Sequence, residues 1–171
     1  QVSINDVLIH KHSSFVRLEQ EIENIFRTYS DKKRATNSMD FDDLLLNFVL
    51  LLKSNPAVLV ALQSKWKHIL VDEYQDTNPP QGELIKLLYN DGVTSSLLAV
   101  GDDAQSIYSF RGATIENILE FPNVYPNTKI FSLETNYRSV QPILDLANAV
   151  ILSNERQFEK VLRGIKLEGE K

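Results

Sequence analysis

Apolar side chains at Phe15, Leu18, Ile22, Ile25, Phe26 and Tyr29 recur every three or four residues, a spacing that predicts an amphipathic helix. Lys32, Lys33 and Arg34 close it with positive charge, which the C-terminal end of a helix dipole favours. Ser38 and the acidic Asp40, Asp42 and Asp43 predict the start of a second helix. Its continuation, Leu44 to Leu52, is apolar on nearly every side and predicts burial on most of them. Pro56, suited to a first helical turn, starts a third helix ending near Trp66. The period then changes. His68-Ile69-Leu70-Val71 is a short apolar run cut off by Asp72-Glu73, the pattern of a buried strand meeting a polar edge. Leu97-Leu98-Ala99-Val100, stopped by Gly101-Asp102-Asp103, and Ile130-Phe131-Ser132-Leu133 predict two more strands. Helices are predicted from Pro79-Pro80 through Leu84, Leu87 and Leu88, around Ile115, Ile118 and Leu119, and along Ile143, Leu146, Ala147 and Val150. The alternation predicts an α/β fold: a parallel sheet with right-handed crossovers and flanking helices, behind a helical N-terminal portion. Such sheets bind ligands beyond the C-terminal ends of their strands, and the polar residues of this chain gather there.

Composition narrows the class. At 171 residues and 43% hydrophobic the chain can bury a core, which argues against disorder. The lack of cysteine excludes a disulfide scaffold, a thiol catalyst and a Cys-based zinc site. His10, His12 and His68 stand in no metal-ligand spacing. The apolar run Phe48 to Leu52 is far short of the roughly 20 residues that span a bilayer, and no secretory signal opens the chain. A soluble, cytoplasmic protein without membrane contact is the expectation. The net charge of -5 is uneven: residues 72–145 hold eleven acidic side chains against Lys86, Arg111, Lys129 and Arg138. That segment is either a solvated face or a place where a divalent cation offsets carboxylates.

Residues at the strand ends could carry chemistry. A carboxylate pair after an apolar strand, Asp72-Glu73, is the arrangement in which one acid holds Mg²⁺ and the other orients and deprotonates water in nucleoside-triphosphate hydrolysis. Two solvent-facing acids are the plain alternative. Gln105, after the second strand, could bond a terminal phosphate without adding charge, or be an ordinary loop amide. Arg138, after the third, could meet charge developing on a γ-phosphate, a contribution of about 10³–10⁵ in rate, or form a surface ion pair. Tyr108 and Phe110 flank Ser109 ahead of Arg111, a loop able to stack nucleobases or to plug onto the core. Tyr137 could stack on a purine or anchor the next helix.

Taken as strings, these segments resemble a known set. Val71-Asp72-Glu73-Tyr74-Gln75-Asp76-Thr77-Asn78 resembles motif II of the UvrD/Rep/PcrA superfamily 1 DNA helicases. The stretch from Val100 through Gly101, Asp102, Asp103, Ala104 and Gln105 to Ala113 resembles their motif III, and Leu133-Glu134-Thr135-Asn136-Tyr137-Arg138-Ser139 their motif IV. Asp40-Phe41-Asp42-Asp43-Leu44-Leu45 is similar to the signature that precedes motif II. The resemblance spans roughly residues 15 to 153, with order and spacing in agreement. It implies a partial RecA-like sheet and an ATP-dependent 3′–5′ helicase acting on single-stranded and duplex DNA. Asp72 would hold Mg²⁺, Glu73 would be the catalytic base, and Gln105 would couple the γ-phosphate to DNA. Tyr137 would stack on adenine and Arg138 reach the γ-phosphate. Tyr108 and Phe110 would line the DNA track, with Arg111 linking it to the ATP site. Residues 1–39 would end an inserted helical subdomain and 40–153 would be part of the first RecA-like domain, while the mixed-charge tail 154–171 matches nothing in the set and reads as helix, disorder or the start of a next segment.

Two departures qualify these expectations. Phe110 stands where the family usually has tryptophan. No G-x-x-x-x-G-K-[ST] loop occurs, since none of Gly82, Gly92, Gly101, Gly112, Gly164 and Gly169 is followed by lysine. With Gln1 first and Met39 the sole methionine, the expectation is a central piece of a longer helicase, without useful ATPase alone and with an unpaired apolar sheet edge prone to self-association. The competing expectations are a truncated, non-catalytic DNA- or protein-binding module, a helicase-nuclease relative and, least favoured, a plain metal-dependent hydrolase.

Overall fold

The computed structural model describes residues 3–90, 96–107 and 114–166. The chain forms two compact units, residues 1–47 and 48–171. Among the described residues no single helix is long and apolar enough to cross a membrane.

The first unit opens with α1 (Ile4–Lys11), where Ser3 Oγ accepts the Asp6 N–H at 3.0 Å and the Asp6 carboxylate accepts the Ser3 N–H, a reciprocal cap. A 3₁₀ turn (Ser13–Leu18) leads into α2 (Glu19–Ala35). The stripe that predicts α2 is real, but Phe15, Leu18, Ile25, Phe26 and Tyr29 are exposed. The next helix, α3 (Phe41–Ser54), is capped by Asp40 and not by Ser38: Asp40 Oδ1 accepts the Asp43 N–H at 2.8 Å and Asp43 Oδ2 accepts the Asp40 N–H at 3.0 Å. Lys33 joins both acids at 2.8 and 2.6 Å. Its bond, then the Asp43 N–H and the Tyr29 hydroxyl, holds the Asp40 carboxyl well below the usual carboxylate range. Only Val49 and Leu52 of α3 are buried, and Leu44, Leu46, Leu50 and Leu51 are exposed, so the expectation of burial on most sides is corrected. A helix with apolar residues all round buries only the stripe its neighbours reach.

In the second unit α4 (Pro56–Lys65) is tied to α5 (Pro79–Leu88) by Gln63 Nε2 donating to Leu87 O at 2.7 Å. Strands β1 (His68–Val71) and β2 (Ser96–Ala99) pair in parallel, Ile69 opposite Leu97 and Val71 opposite Ala99. Because successive strand residues face opposite sides, Val71, Leu97 and Ala99 pack on Tyr74, Ile85, Ile118 and Tyr125. The other face is open, with Leu70 72% exposed, so these strands are covered on one side and not on the two expected. Helices α6 (Ile115–Leu119) and α7 (Phe121–Val124) complete that core, Phe121 meeting Tyr74 edge-on at 5.0 Å.

The third expected strand is misplaced. Ile130–Leu133 forms no ladder and is exposed, Phe131 to 81%. Strand β3 is Thr135–Val140, followed by α8 (Gln141–Ile151). β3 pairs in parallel not with β2 but with β4 (Arg163–Lys166), in a sheet of its own. The charged tail therefore contributes a strand where helix or disorder is expected. Asn148 fixes it by exchanging two hydrogen bonds with the Leu162 backbone, at 3.0 and 3.1 Å. Between β2 and Ile130–Leu133 lies a groove of about 700 Å³, lined by Leu97–Gly101 on one side and Asn127–Leu133 on the other. A strand forms only where a neighbour takes its N–H and C=O groups, and across this groove Ile130–Leu133 has none.

Candidate functional site

The backbone ladder of β1 and β2 runs past the strands. Val100 N–H donates to Val71 O at 2.8 Å and Tyr74 N–H to Val100 O at 2.9 Å, so the two following loops turn side by side. In the first, Glu73 has φ 50 and ψ 45, a left-handed conformation in a residue with a Cβ. Such backbone costs of order 1 kcal/mol, and surrounding contacts have to hold it. Here Glu73 N–H donates to Asp72 Oδ1 at 2.9 Å, while Thr77 Oγ1 donates to Tyr74 O at 2.7 Å and Asn117 Nδ2 to Thr77 O at 2.8 Å. The result projects the Asp72 and Glu73 carboxylates from the sheet edge, both exposed.

Gln75 stands behind them, 1% exposed. Its Nε2 donates to Glu73 Oε2 at 2.7 Å, and its Oε1 accepts the Asp102 N–H at 3.0 Å. Asp102 in turn accepts from Gln105 Nε2 at 2.6 Å and from the Ala104 N–H at 3.1 Å. Glu73, Gln75, Asp102 and Gln105 thus form one continuous string across the two loops. Lys160 closes it from the far end of the chain, bonding Asp102 at 2.5 Å and the buried Asp103 at 2.8 Å, and Asp103 also accepts the Phe158 N–H at 3.1 Å. Burial pushes the Asp102 carboxyl upward, but the Lys160 and Gln105 bonds outweigh it and hold Asp102 below the ordinary range. Burial likewise works against the Lys160 ammonium, and the two aspartates more than compensate.

Asp72 suits a magnesium ion, which keeps much of its water and takes one or two carboxylates plus substrate phosphates. No cluster of three or more metal-ligating side chains occurs among the described residues, and this coordination needs none. Tyr137 and Arg138 lie on β3, in the other sheet, and not in a loop after a strand. There the ladder shifts register between Asn136 and Val140, and Asn136 Oδ1 accepts the N–H groups of Arg138 and Ser139 at 2.9 and 2.8 Å. Bulges of this kind turn side chains outward, and both residues are exposed, Tyr137 to 69%. Among the described residues no hydrogen bond or ion pair joins either side chain to the Glu73–Gln105 string. Tyr108, Phe110 and Arg111 lie outside the described residues.

Sequence reasoning missed Gln75, Asp102 and Lys160. The first two stand inside the matched strings, where a residue able to bridge the loops could have been sought. Lys160 carries no local signal, being 57 and 58 residues from its partners.

Residues 5–126 match the model of the UvrD/REP helicase N-terminal domain. The chain is 41% identical over 172 residues to ATP-dependent DNA helicase UvrD1 of Mycobacterium tuberculosis, covering 94% of this chain and 22% of the relative. It is 44% identical over 144 residues to ATP-dependent DNA helicase Rep of Buchnera aphidicola, covering 84% and 22%. With ATP-dependent DNA helicase PcrA of Leuconostoc citreum the identity is 42% over 144 residues, covering 84% and 19%. The chain therefore spans about a fifth of the length of these relatives. With most of its length matched by the domain model, the chain belongs to the UvrD/REP helicase N-terminal domain family.

Proposed function

We propose that this chain is the hydrolytic part of the ATPase centre of a cytoplasmic 3′–5′ DNA helicase, and that the phosphate-holding loop comes from residues outside it. The observation that carries the proposal is the single string that ties Glu73, the proposed base, to Gln105, the proposed phosphate sensor, at one sheet edge. Asp72 would hold the magnesium ion and Glu73 would take the proton of the attacking water. Gln105 would exchange its bond to Asp102 for one to the γ-phosphate. Bound Mg²⁺–ATP would supply the phosphoryl group transferred to water. Tyr137 offers a ring face for adenine, and Arg138 a guanidinium for the charge developing on the γ-phosphate, once β3 is brought opposite the edge. Tyr108, Phe110 and Arg111 would carry the stepping contacts with single-stranded DNA, residues 1–39 a helical part that meets duplex, and 40–153 part of the RecA-like domain.

The groove beside β2 supports this division of labour. It is apolar along Leu97–Val100 and Ile130–Leu133 and ends at Gly101, Asp102 and Asp103. A third strand laid there parallel to β2 would release its following loop beside Asp72, Glu73 and Gln105. A glycine-rich loop with a lysine at that point would cradle the phosphates that this chain's acidic edge would repel.

The test exchanges this chain for the matching 172 residues of M. tuberculosis UvrD1 and measures DNA-stimulated ATPase. The hybrid is expected to turn over ATP, Glu73→Gln to abolish turnover, and Arg138→Ala to lower it by about 10³ or more. A folded hybrid that binds DNA without turnover would favour a non-catalytic module instead.

A further inference from the structure

We infer that Gln75 is a positioning residue that sets the direction of the Glu73 carboxylate and ties it to the loop bearing Gln105. The inference rests on the reading of Glu73 as the base. Gln75 has a burial unlike that of its neighbours on the edge: Asp72, Glu73 and Gln105 are exposed, while Gln75 is fully enclosed with both ends of its amide engaged. A buried primary amide can donate at one end and accept at the other, and a carboxamide here does both, giving to Glu73 at 2.7 Å and receiving from Asp102 at 3.0 Å. The Gln75 backbone carbonyl oxygen accepts from Ser106 Oγ at 3.4 Å, a second tie to the loop that bears Gln105.

No other residue type of that size satisfies both partners. Glutamate at 75 would still accept from Asp102 but would present a like charge to Glu73. Methionine would fill the volume and bond neither. The fit is enforced by Gly101, whose backbone lies so near that an added Cβ would stand 2.6 Å from Gln75 Oε1. Glu73 needs such a support because its backbone is left-handed and its side chain is in solvent, where rotamers would otherwise spread over several directions. Misplacing a catalytic group by about 1 Å costs roughly a hundredfold in rate, so a fixed carboxylate matters most in the step where the water attacks and gives up its proton. The string also holds the base while the sensor moves. When Gln105 leaves Asp102, the bonds from Asp102 N–H to Gln75 and from Gln75 to Glu73 remain and hold the base in place.

Two measurements test this. In the 171-residue chain, nitrogen-proton spectra are recorded for the Gln75 side-chain amide and the Asp102 backbone amide. Glu73→Ala changes an exposed residue, and amide resonances away from the loop serve as the check on its fold; it is expected to move the Gln75 amide resonances, while Asp72→Asn leaves them in place. Gln75 resonances indifferent to Glu73→Ala would overturn the inference. In the UvrD1 hybrid, Gln75→Glu is expected to lower kcat by about tenfold to a hundredfold with the KM for ATP within about twofold, and Gln75→Met to do the same. Unchanged kcat in both variants, with Glu73→Gln still inactive, would sink the positioning role and leave the proposed base standing. Full turnover in Glu73→Gln would remove the base itself, whatever Gln75 does.

Discussion

At Gly101 the chain has no room for a side chain: an added Cβ would meet Gln75 Oε1 at 2.6 Å, Ile118 Cδ1 at 2.8 Å and Tyr74 N at 3.2 Å. Two of these are packed atoms of the core and the polar string, so relief requires moving both. Gly101→Ala is expected to destabilise the chain by about 1–3 kcal/mol in urea unfolding, the usual cost of overpacking. Lys160 makes a second single-residue prediction. Its ammonium is largely buried between Asp102 and Asp103, the latter 5% exposed, so Lys160→Met leaves two acids crowded without a cation. The expected loss at pH 7 is about 3 kcal/mol, the low end for breaking a buried pair. The sign with pH follows from the Asp102 carboxyl, which is held below its unfolded value. Its contribution is complete above the ordinary carboxylate pKa near 3.9 and is lost as pH falls through the folded value. Stability curves of the two proteins should therefore converge on acidification below about pH 4. A constant gap down to pH 2 would contradict the ion triad. These residues also mark what was legible. Asp72, Glu73 and Gln105 stand out as candidates in the sequence because each follows an apolar run that stops abruptly. Gln75 looked like one letter of a string, since burial and two-ended bonding have no signature in sequence. Lys160 was invisible because its meaning depends on a contact made across more than fifty residues.

Among the elements, helices with capping residues or prolines at their starts fell where the pattern put them, α4 and α5 beginning at Pro56 and Pro79. Asn78 caps α5 reciprocally with Gln81, at 3.0 and 2.9 Å, and this cap directs the chain away from the carboxylate loop. Asn78→Ala should cost about 1 kcal/mol, read by thermal unfolding. Strands were less legible. Ile130–Leu133 has the composition of a strand, but pairing depends on a neighbour, and the adjacent groove offers none among the described residues. β4 is a charged, glycine-containing stretch whose only claim to be a strand is that β3 lies beside it; Gly164 passes within close range of Ser139 O, where a Cβ would stand at 2.9 Å. The side of β2 away from β1, unpaired among the described residues, is an apolar edge of the kind that pairs with a second chain. Sedimentation of the isolated chain should show mass rising with concentration at micromolar levels. Leu98→Lys, on the exposed face of β2, should suppress that rise. A wild-type chain that stays monomeric throughout would show that the edge is protected.

For the molecule as a whole, membership of the helicase family and the division into a carboxylate-bearing edge and an open groove belong together. The carboxylate pair, the Gln105 amide and the bulged strand with Tyr137 and Arg138 lie on this chain; a lysine-bearing phosphate loop does not. Electrostatics makes the consequence plain. Residues 72–145 carry eleven acids against four basic side chains, a field that repels nucleotide phosphates unless cations are brought to it. The measurement that bears most directly on this account is calorimetric titration of Mg²⁺–ATP into the isolated 171-residue chain and, in parallel, into the UvrD1 hybrid. Heat of binding is expected from the hybrid alone, with none from the isolated chain up to millimolar nucleotide. Micromolar binding by the isolated chain, lost in Asp72→Ala, would contradict the account and make this polypeptide a nucleotide site in its own right.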